Sequence, residues 1–170
     1  MSERPAPDYA LLDRLGAAGA IFYPRDDQSP CPPGASDHRL PVPGAVLAAR
    51  FYRADPAYPT VVFFHGNGEV IADYDEMARV YHGRAGTNLV VVDFRAYGQS
   101  TGRPTFATLV EDALPVAAQL HSLLDTEAFV GRRYVMGRSL GAHPALEIAA
   151  NGAAGFSGLI IESGAGMLRR

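Results

Sequence analysis

The stretch Arg133-Tyr134-Val135-Met136-Gly137-Arg138-Ser139-Leu140-Gly141-Ala142 decides the fold. Its first part is rich in strand formers, a helical segment follows from about Leu140 to Ala150, and Gly137-Arg138-Ser139-Leu140-Gly141 sits at the junction. A sharp strand-to-helix turn needs glycines at its flanks, because neighbouring backbone comes too close for a Cβ. The same turn pushes the serine hydroxyl out beyond the end of the sheet. The amides that open the following helix point toward the charge that develops when such a hydroxyl attacks a carbonyl. Ser139 is therefore the candidate nucleophile. The bland alternative, a small-residue turn in a chain with 18 glycines, does not account for the strand and helix on either side.

Working outward, a second motif, His65-Gly66-Asn67-Gly68-Glu69, directly follows the strand-like run Val61-Val62-Phe63-Phe64. Acyl transfer passes through a tetrahedral oxyanion, and a second backbone donor opposite the serine turn is needed to hold it. The backbone amides of Asn67 and Leu140 are the candidate pair. His65 precedes Ser139 and sits within this loop, so it is read as a loop prop and not as the base.

Around these motifs, strand and helix signals alternate. Residues 8–20 carry a weak helical pattern (Tyr9, Leu11, Leu12, Leu15). They lead into a short extended segment, Ala20-Ile21-Phe22-Tyr23, and then into a loop punctuated by prolines 24, 30, 32, 33, 41 and 43. Val46 to Tyr52 and Thr60 to Phe64 read as two adjacent strands, and residues 70–82 as a helix with one buried face. The apolar run Leu89-Val90-Val91-Val92 suits a parallel strand buried on both faces. Thr105 to Leu124 reads as one amphipathic helix, with Thr108 and Glu111 spaced as a capping box and Pro115 as a kink. Gly158 to Glu162 is a last strand. The expected fold class is α/β, a mostly parallel sheet with helices on both faces. It occupies residues 1–170 as one domain, with residues 1–44 as an N-terminal helix, strand and Pro-rich loop and residues 45–170 as the core.

Composition narrows the partners. Fifteen basic residues against eighteen acidic ones give a net charge of −3 without long single-sign runs, so no footprint for nucleic acid or anionic lipid is present. A small, neutral or apolar molecule fits better. The single cysteine, Cys31, cannot form an intrachain disulfide. Met1-Ser2-Glu3-Arg4-Pro5 lacks the basic start and apolar run of a secretory signal, and no apolar run approaches the roughly 20 residues of a membrane span, which makes a cytoplasmic protein the default expectation. No metal-ligand cluster, phosphate loop or dinucleotide fingerprint is present, so neither a metal nor a cofactor is expected.

Three blocks carry a family resemblance: HGNGE at 65–69, Asp93-Phe94-Arg95-Ala96-Tyr97-Gly98-Gln99-Ser100, and GRSLG at 137–141 followed by Leu159-Ile160-Ile161-Glu162-Ser163. On these the chain, over about residues 45–166, resembles the α/β-hydrolase superfamily, in particular the BEM46-like intracellular serine hydrolases. The resemblance implies a serine hydrolase that cleaves a small carboxylic ester, amide or thioester through an acyl-enzyme on Ser139. In such families the middle block usually reads DYRGYGxS, so Ala96 stands where glycine is common and leaves the loop less free to turn. Asp93, Arg95 and Ser100 are read as fixing that loop, and Tyr97 as a pocket-lining candidate.

In this superfamily the acid and histidine follow the serine along the chain. Only 31 residues follow Ser139, with His143 and Glu162 as the weaker candidates for base and acid. His38, His82 and His121 have no catalytic surroundings in the sequence. The chain is therefore expected to lack the last strands and helices of the fold and to leave Gly158–Glu162 as an exposed edge that invites a second copy. Weak or no turnover is expected of these 170 residues alone. A catalytically silent ligand-binding module, or a site completed by another chain, stays open beside the esterase reading.

Overall fold

Two runs, Thr60–Phe64 and Asn88–Val92, are buried at every position, the mark of strands covered on both faces. In the computed structural model, which describes residues 10–14, 16, 18–151 and 155–164, they form the centre of a six-stranded sheet. The strands are β1 (Ala35–Val42), β2 (Ala45–Tyr52), β3 (Thr60–Phe64), β4 (Asn88–Val92), β5 (Arg133–Arg138) and β6 (Phe156–Glu162). Their order is β1-β2-β4-β3-β5-β6. Strands β4, β3, β5 and β6 are parallel, while β2 joins β4 and β1 joins β2 antiparallel.

Period-two alternation splits the sheet residues between two cores. Val62, Phe64, Val90 and Val92 face one side, where Leu109, Val116, Leu120, Ala145 and Ile148 cover them. Those residues come from α4 (Phe106–Glu111), α5 (Ala113–Thr126) and α6 (Ala142–Ala150). Val61, Phe63, Leu89 and Val91 face the other side, beneath Ile71, Tyr74 and Ala78. The mostly parallel sheet with helices on both faces is thus as expected.

Several local expectations give way. Strands β2 and β3 are not neighbours, because β4 lies between them. The Pro-rich stretch contains the eight-residue strand β1. Pro41 fits there because β1 is an outer strand with only β2 to bond, and Pro43-Gly44, with Gly44 at φ +75°, closes the hairpin. Ala10–Arg14 is a short helix, α1, and Ala18–Ile21 is one helical turn, α2, so the extended reading of residues 20–23 fails at its start. The helix foreseen over residues 70–82 is broken into a 3-10 turn (Ile71–Tyr74), α3 (Met77–Val80) and a π turn (Tyr81–Ala85).

The segment from Thr105 is likewise two helices. Thr105, not Thr108, caps the first, its hydroxyl accepting the Thr108 N–H at 3.0 Å. The chain breaks at Asp112, so Pro115 lies in the first turn of α5, where a missing N–H costs nothing. Tyr9, Leu15, the first five residues and the Met167-Leu168-Arg169-Arg170 ending lie outside the described residues. Among the described residues no helix is long and apolar enough to cross a membrane, and no group of ligands suited to a metal ion is found.

The loop from Asp93 to Ser100 is fixed as the sequence suggests. Arg95 donates two hydrogen bonds of 2.7 Å to Asp112 and one of 2.8 Å to the Pro43 carbonyl. The Ser100 hydroxyl accepts the Ala48 N–H and donates to the Asp93 carbonyl. Ala96 holds φ +63° in this loop, the left-handed region that a Cβ disfavours by about 1–2 kcal/mol. Ala96→Gly is accordingly expected to raise the unfolding free energy by roughly 0.5–1 kcal/mol, the remainder being offset by the greater freedom of glycine in the unfolded chain. Urea denaturation of the two proteins measures it.

Candidate functional site

The C-terminal ends of β3, β4, β5 and β6 lie side by side, and the loops that leave them carry the residues of interest. At the end of β5 the chain turns through the 3-10 segment Ser139–Gly141 directly into α6. Ser139 adopts φ +50° and is exposed, between the buried pairs Met136, Gly137 and Leu140, Gly141. The flanking glycines are required by contact. A Cβ on Gly137 would stand 2.2 Å from the Gly141 carbonyl oxygen, and one on Gly141 would stand 2.0 Å from the Phe64 carbonyl oxygen. The serine turn is thus pressed against the end of β3, and Ser139 is left as its outermost residue.

The loop after β3 faces that turn. His65 is completely buried, its Nδ1–H donating to the Gly66 carbonyl at 2.8 Å and its Nε2 lying 3.1 Å from Asp93 Oδ1. Its ring also packs on Phe94 and Tyr97. Asp93 Oδ1 further accepts the Ile71 N–H at 2.9 Å, and the same carboxylate fills the space where a Gly98 Cβ would be. His65 therefore props the loop. Glu69 accepts the Gly66 N–H at 2.8 Å and the Tyr74 hydroxyl at 2.5 Å.

Arg138, the residue before Ser139, ties these loops together. Its Nε donates to Glu162 Oε2 at 3.0 Å, and its Nη1 reaches the Tyr74 hydroxyl at 3.2 Å and Glu69 Oε1 at 3.4 Å. The guanidinium also lies over the Phe63 and Tyr74 rings. Burial alone would push the Glu69 carboxyl up. The Tyr74 hydroxyl, the Gly66 N–H and Arg138 outweigh it and hold the group below the usual carboxylate range. Sequence reasoning passed over this bridge, because nothing in the spacing of Glu69, Arg138 and Glu162 shows that three strand ends meet.

The remaining candidates divide. Asn67 and Leu140 lie on the two facing turns, Leu140 directly after the serine. Glu162 ends β6 and is committed to Arg138. His143 lies in the first turn of α6, and burial lowers its imidazole pKa. Among the described residues no hydrogen bond joins it to Ser139 or to a carboxylate. Tyr97 corrects the expectation of a pocket-lining ring: it is 0% exposed, and its hydroxyl donates to Asn67 Oδ1 at 2.6 Å. The other histidines are held elsewhere: His38 by Ser36 and Glu127, His82 at the Tyr52 carbonyl, and His121 by Arg133 and the Phe156 ring.

Comparison with known proteins supports the family and the fold. The family model for serine aminopeptidase, S33, matches residues 55–169. Protein bem46 of Schizosaccharomyces pombe is 30% identical over 107 residues, covering 62% of this chain and 34% of the relative. The alpha/beta hydrolase domain-containing protein WAV2 of Arabidopsis thaliana is 31% identical over 122 residues, covering 71% and 39%. The chain thus spans between a third and two fifths of the length of these two relatives. The solved structure of the Pyrococcus furiosus esterase Pf2001 superposes with a TM-score of 0.64 at 20% identity, covering 83% of this chain and 57% of that one, an agreement of fold.

Two outcomes follow from the packing and the charges. Gly141→Ala drives a Cβ into the backbone of Phe64, which has no flexible end to move, and is expected to destabilise by about 3 kcal/mol or more. Thermal unfolding reports it. Because the folded-state pKa of Glu69 is depressed, its contribution is complete above the unfolded value of about 4.3 and is lost as pH falls through the lower folded value. Glu69→Gln should therefore lower stability at pH 7 and flatten its fall below about pH 4.5, read from urea midpoints across the acid range.

Proposed function

Given that the chain belongs to the serine aminopeptidase S33 family and has the α/β-hydrolase fold, we propose that it carries the nucleophile and oxyanion half of a serine hydrolase that cleaves a small carboxylic ester. The observation that carries this reading is Ser139, an exposed non-glycine residue held at φ +50° on a turn whose flanking glycines admit no side chain. A strained residue persists where the surroundings over-determine it, and here the strain places a hydroxyl at the rim of the sheet. Amides and thioesters react by the same steps.

In this proposal Ser139 Oγ attacks the ester carbonyl carbon as its proton passes to a base. The carbonyl oxygen becomes an oxyanion that accepts the N–H groups of Asn67 and Leu140. Collapse breaks the bond to the alkoxide, which takes the proton from the base and leaves an acyl-Ser139 for water to hydrolyse. None of the five histidines of the chain is assigned the role of base. That group is assigned to a segment that pairs along the edge of β6 left open among the described residues, where Ile160 and Ile161 are 41% and 38% exposed.

The absence of a histidine bonded to Ser139 among the described residues also favours a second reading, a module that binds the ester without turning it over. Hydrolysis of p-nitrophenyl acetate separates the two. A release of p-nitrophenol that falls at least about tenfold in a folded Ser139→Ala variant is the outcome expected of the hydrolase, because the catalysis that survives loss of triad members comes from the oxyanion hole and binding and does not depend on the serine. Equal rates in the two proteins would establish the binding module instead.

A further inference from the structure

Residues 21–26 precede the region that the family model matches, yet they run along the loop after β3. They consume the side-chain amide of Asn67. Its Oδ1 accepts the Tyr23 N–H at 3.0 Å and the Tyr97 hydroxyl at 2.6 Å, while its Nδ2–H donates to the Ile21 carbonyl. The Tyr23 N–H is shared with the Tyr97 oxygen at 3.0 Å, which closes the cluster.

The segment is itself anchored on either side of these contacts. Phe22 is 5% exposed and packs on the Phe106 ring, with centroids 5.4 Å apart. The Arg25 carbonyl accepts the Gly98 N–H at 2.8 Å, Arg25 pairs with Asp73 at 2.5 Å, and Asp26 bridges Gly98. Tyr97 is buried within the sheet-end loop, and burial pushes its phenol above the usual tyrosine range, so the hydroxyl remains a donor.

The turn from Gly66 to Glu69 is closed by the Glu69 N–H on the Gly66 carbonyl and the Gly66 N–H on the Glu69 carboxylate, and the Asn67 side chain adds a restraint of its own. Here both functional atoms of the amide are bound, one to a rigid buried ring and both to the N-terminal segment. We infer that residues 21–26 and Tyr97 form the positioning device of the site, acting through the Asn67 side chain to hold the Asn67 backbone N–H where the oxyanion develops. Tyr97 and the Asn67 side chain are positioning groups in this arrangement and do not touch the reacting atoms. The inference rests on the hydrolase reading for what that N–H does, but the holding itself does not.

The test uses the full chain with three substitutions. Asn67→Ala removes all the side-chain bonds from a partly exposed loop residue, Tyr97→Phe removes only the buried donor, and Asn67→Asp keeps the acceptor while losing the donor to Ile21. Backbone 15N order parameters are measured with kcat and KM for p-nitrophenyl acetate. Asn67 and Gly68 should fall from about 0.85 to below about 0.6 in Asn67→Ala, while Val62 and Val90 stay at the rigid value.

A misplacement of the order of 1 Å costs up to about 100-fold in rate, so kcat should drop roughly 10- to 100-fold with KM little changed. Tyr97→Phe should follow in the same direction, and Asn67→Asp, whose carboxylate oxygen would face the Ile21 carbonyl, should lose both as well. Unchanged order parameters at residues 67 and 68 in both Asn67→Ala and Tyr97→Phe would overturn the inference. So would mobility that spreads to Val62 and Val90, or a loosened loop with undiminished kcat. Absence of Ser139-dependent turnover in the wild type counts against the hydrolase reading alone, and the order parameters then decide the strap.

Discussion

The contact between the Gly141 backbone and the Phe64 carbonyl oxygen, with room for a hydrogen and none for a methyl group, is the constraint on which the rest of the site depends. It sets how closely the start of α6 can lie to the end of β3. Because Gly137 in turn abuts the Gly141 carbonyl, the chain between them has no route but a tight turn with Ser139 outermost. The left-handed backbone of Ser139 is a consequence of that closeness. Strain of this kind costs on the order of 1–3 kcal/mol and is sustained by the two fully buried strands beneath it.

Charge and hydrogen bonding then fix what packing leaves free. Arg138 joins loops from three strand ends, Asp93 takes the Ile71 N–H and the His65 ring together, and Asn67 is bound through its side chain to the N-terminal segment. Each of these three groups has specific partners, so the arrangement of the loops has few alternatives of similar energy. The result is a rim whose loops are held by named partners, the kind of preorganisation that the proposed oxyanion stabilisation would draw on.

Much of this was legible in the sequence, for identifiable reasons. GRSLG between a strand and a helix, and HGNGE after an apolar run, are local patterns whose glycines answer to local sterics, and both loops lie where the pattern puts them. The assignment to BEM46-like hydrolases is likewise supported by the relatives found. What could not be read depends on tertiary partners. Strand β1 was hidden by its prolines because only its outer position makes them tolerable, and the order of β2, β4 and β3 is a matter of topology that no single segment encodes. Tyr97 reads as an aromatic residue on a site loop. Its buried role appears only once Asn67 and Tyr23, 30 and 74 positions away along the chain, are seen to meet at its hydroxyl.

The central claim is that this geometry makes Ser139 the reactive hydroxyl of the molecule. The measurement that addresses it most directly is prolonged exposure of the folded protein to a fluorophosphonate, followed by mass spectrometry of the intact chain and its peptides. The account predicts a single adduct, located on Ser139 and lost when the protein is unfolded before exposure. An adduct distributed over other serines, or one that forms on Ser139 equally well when the protein is unfolded before exposure, would contradict the account.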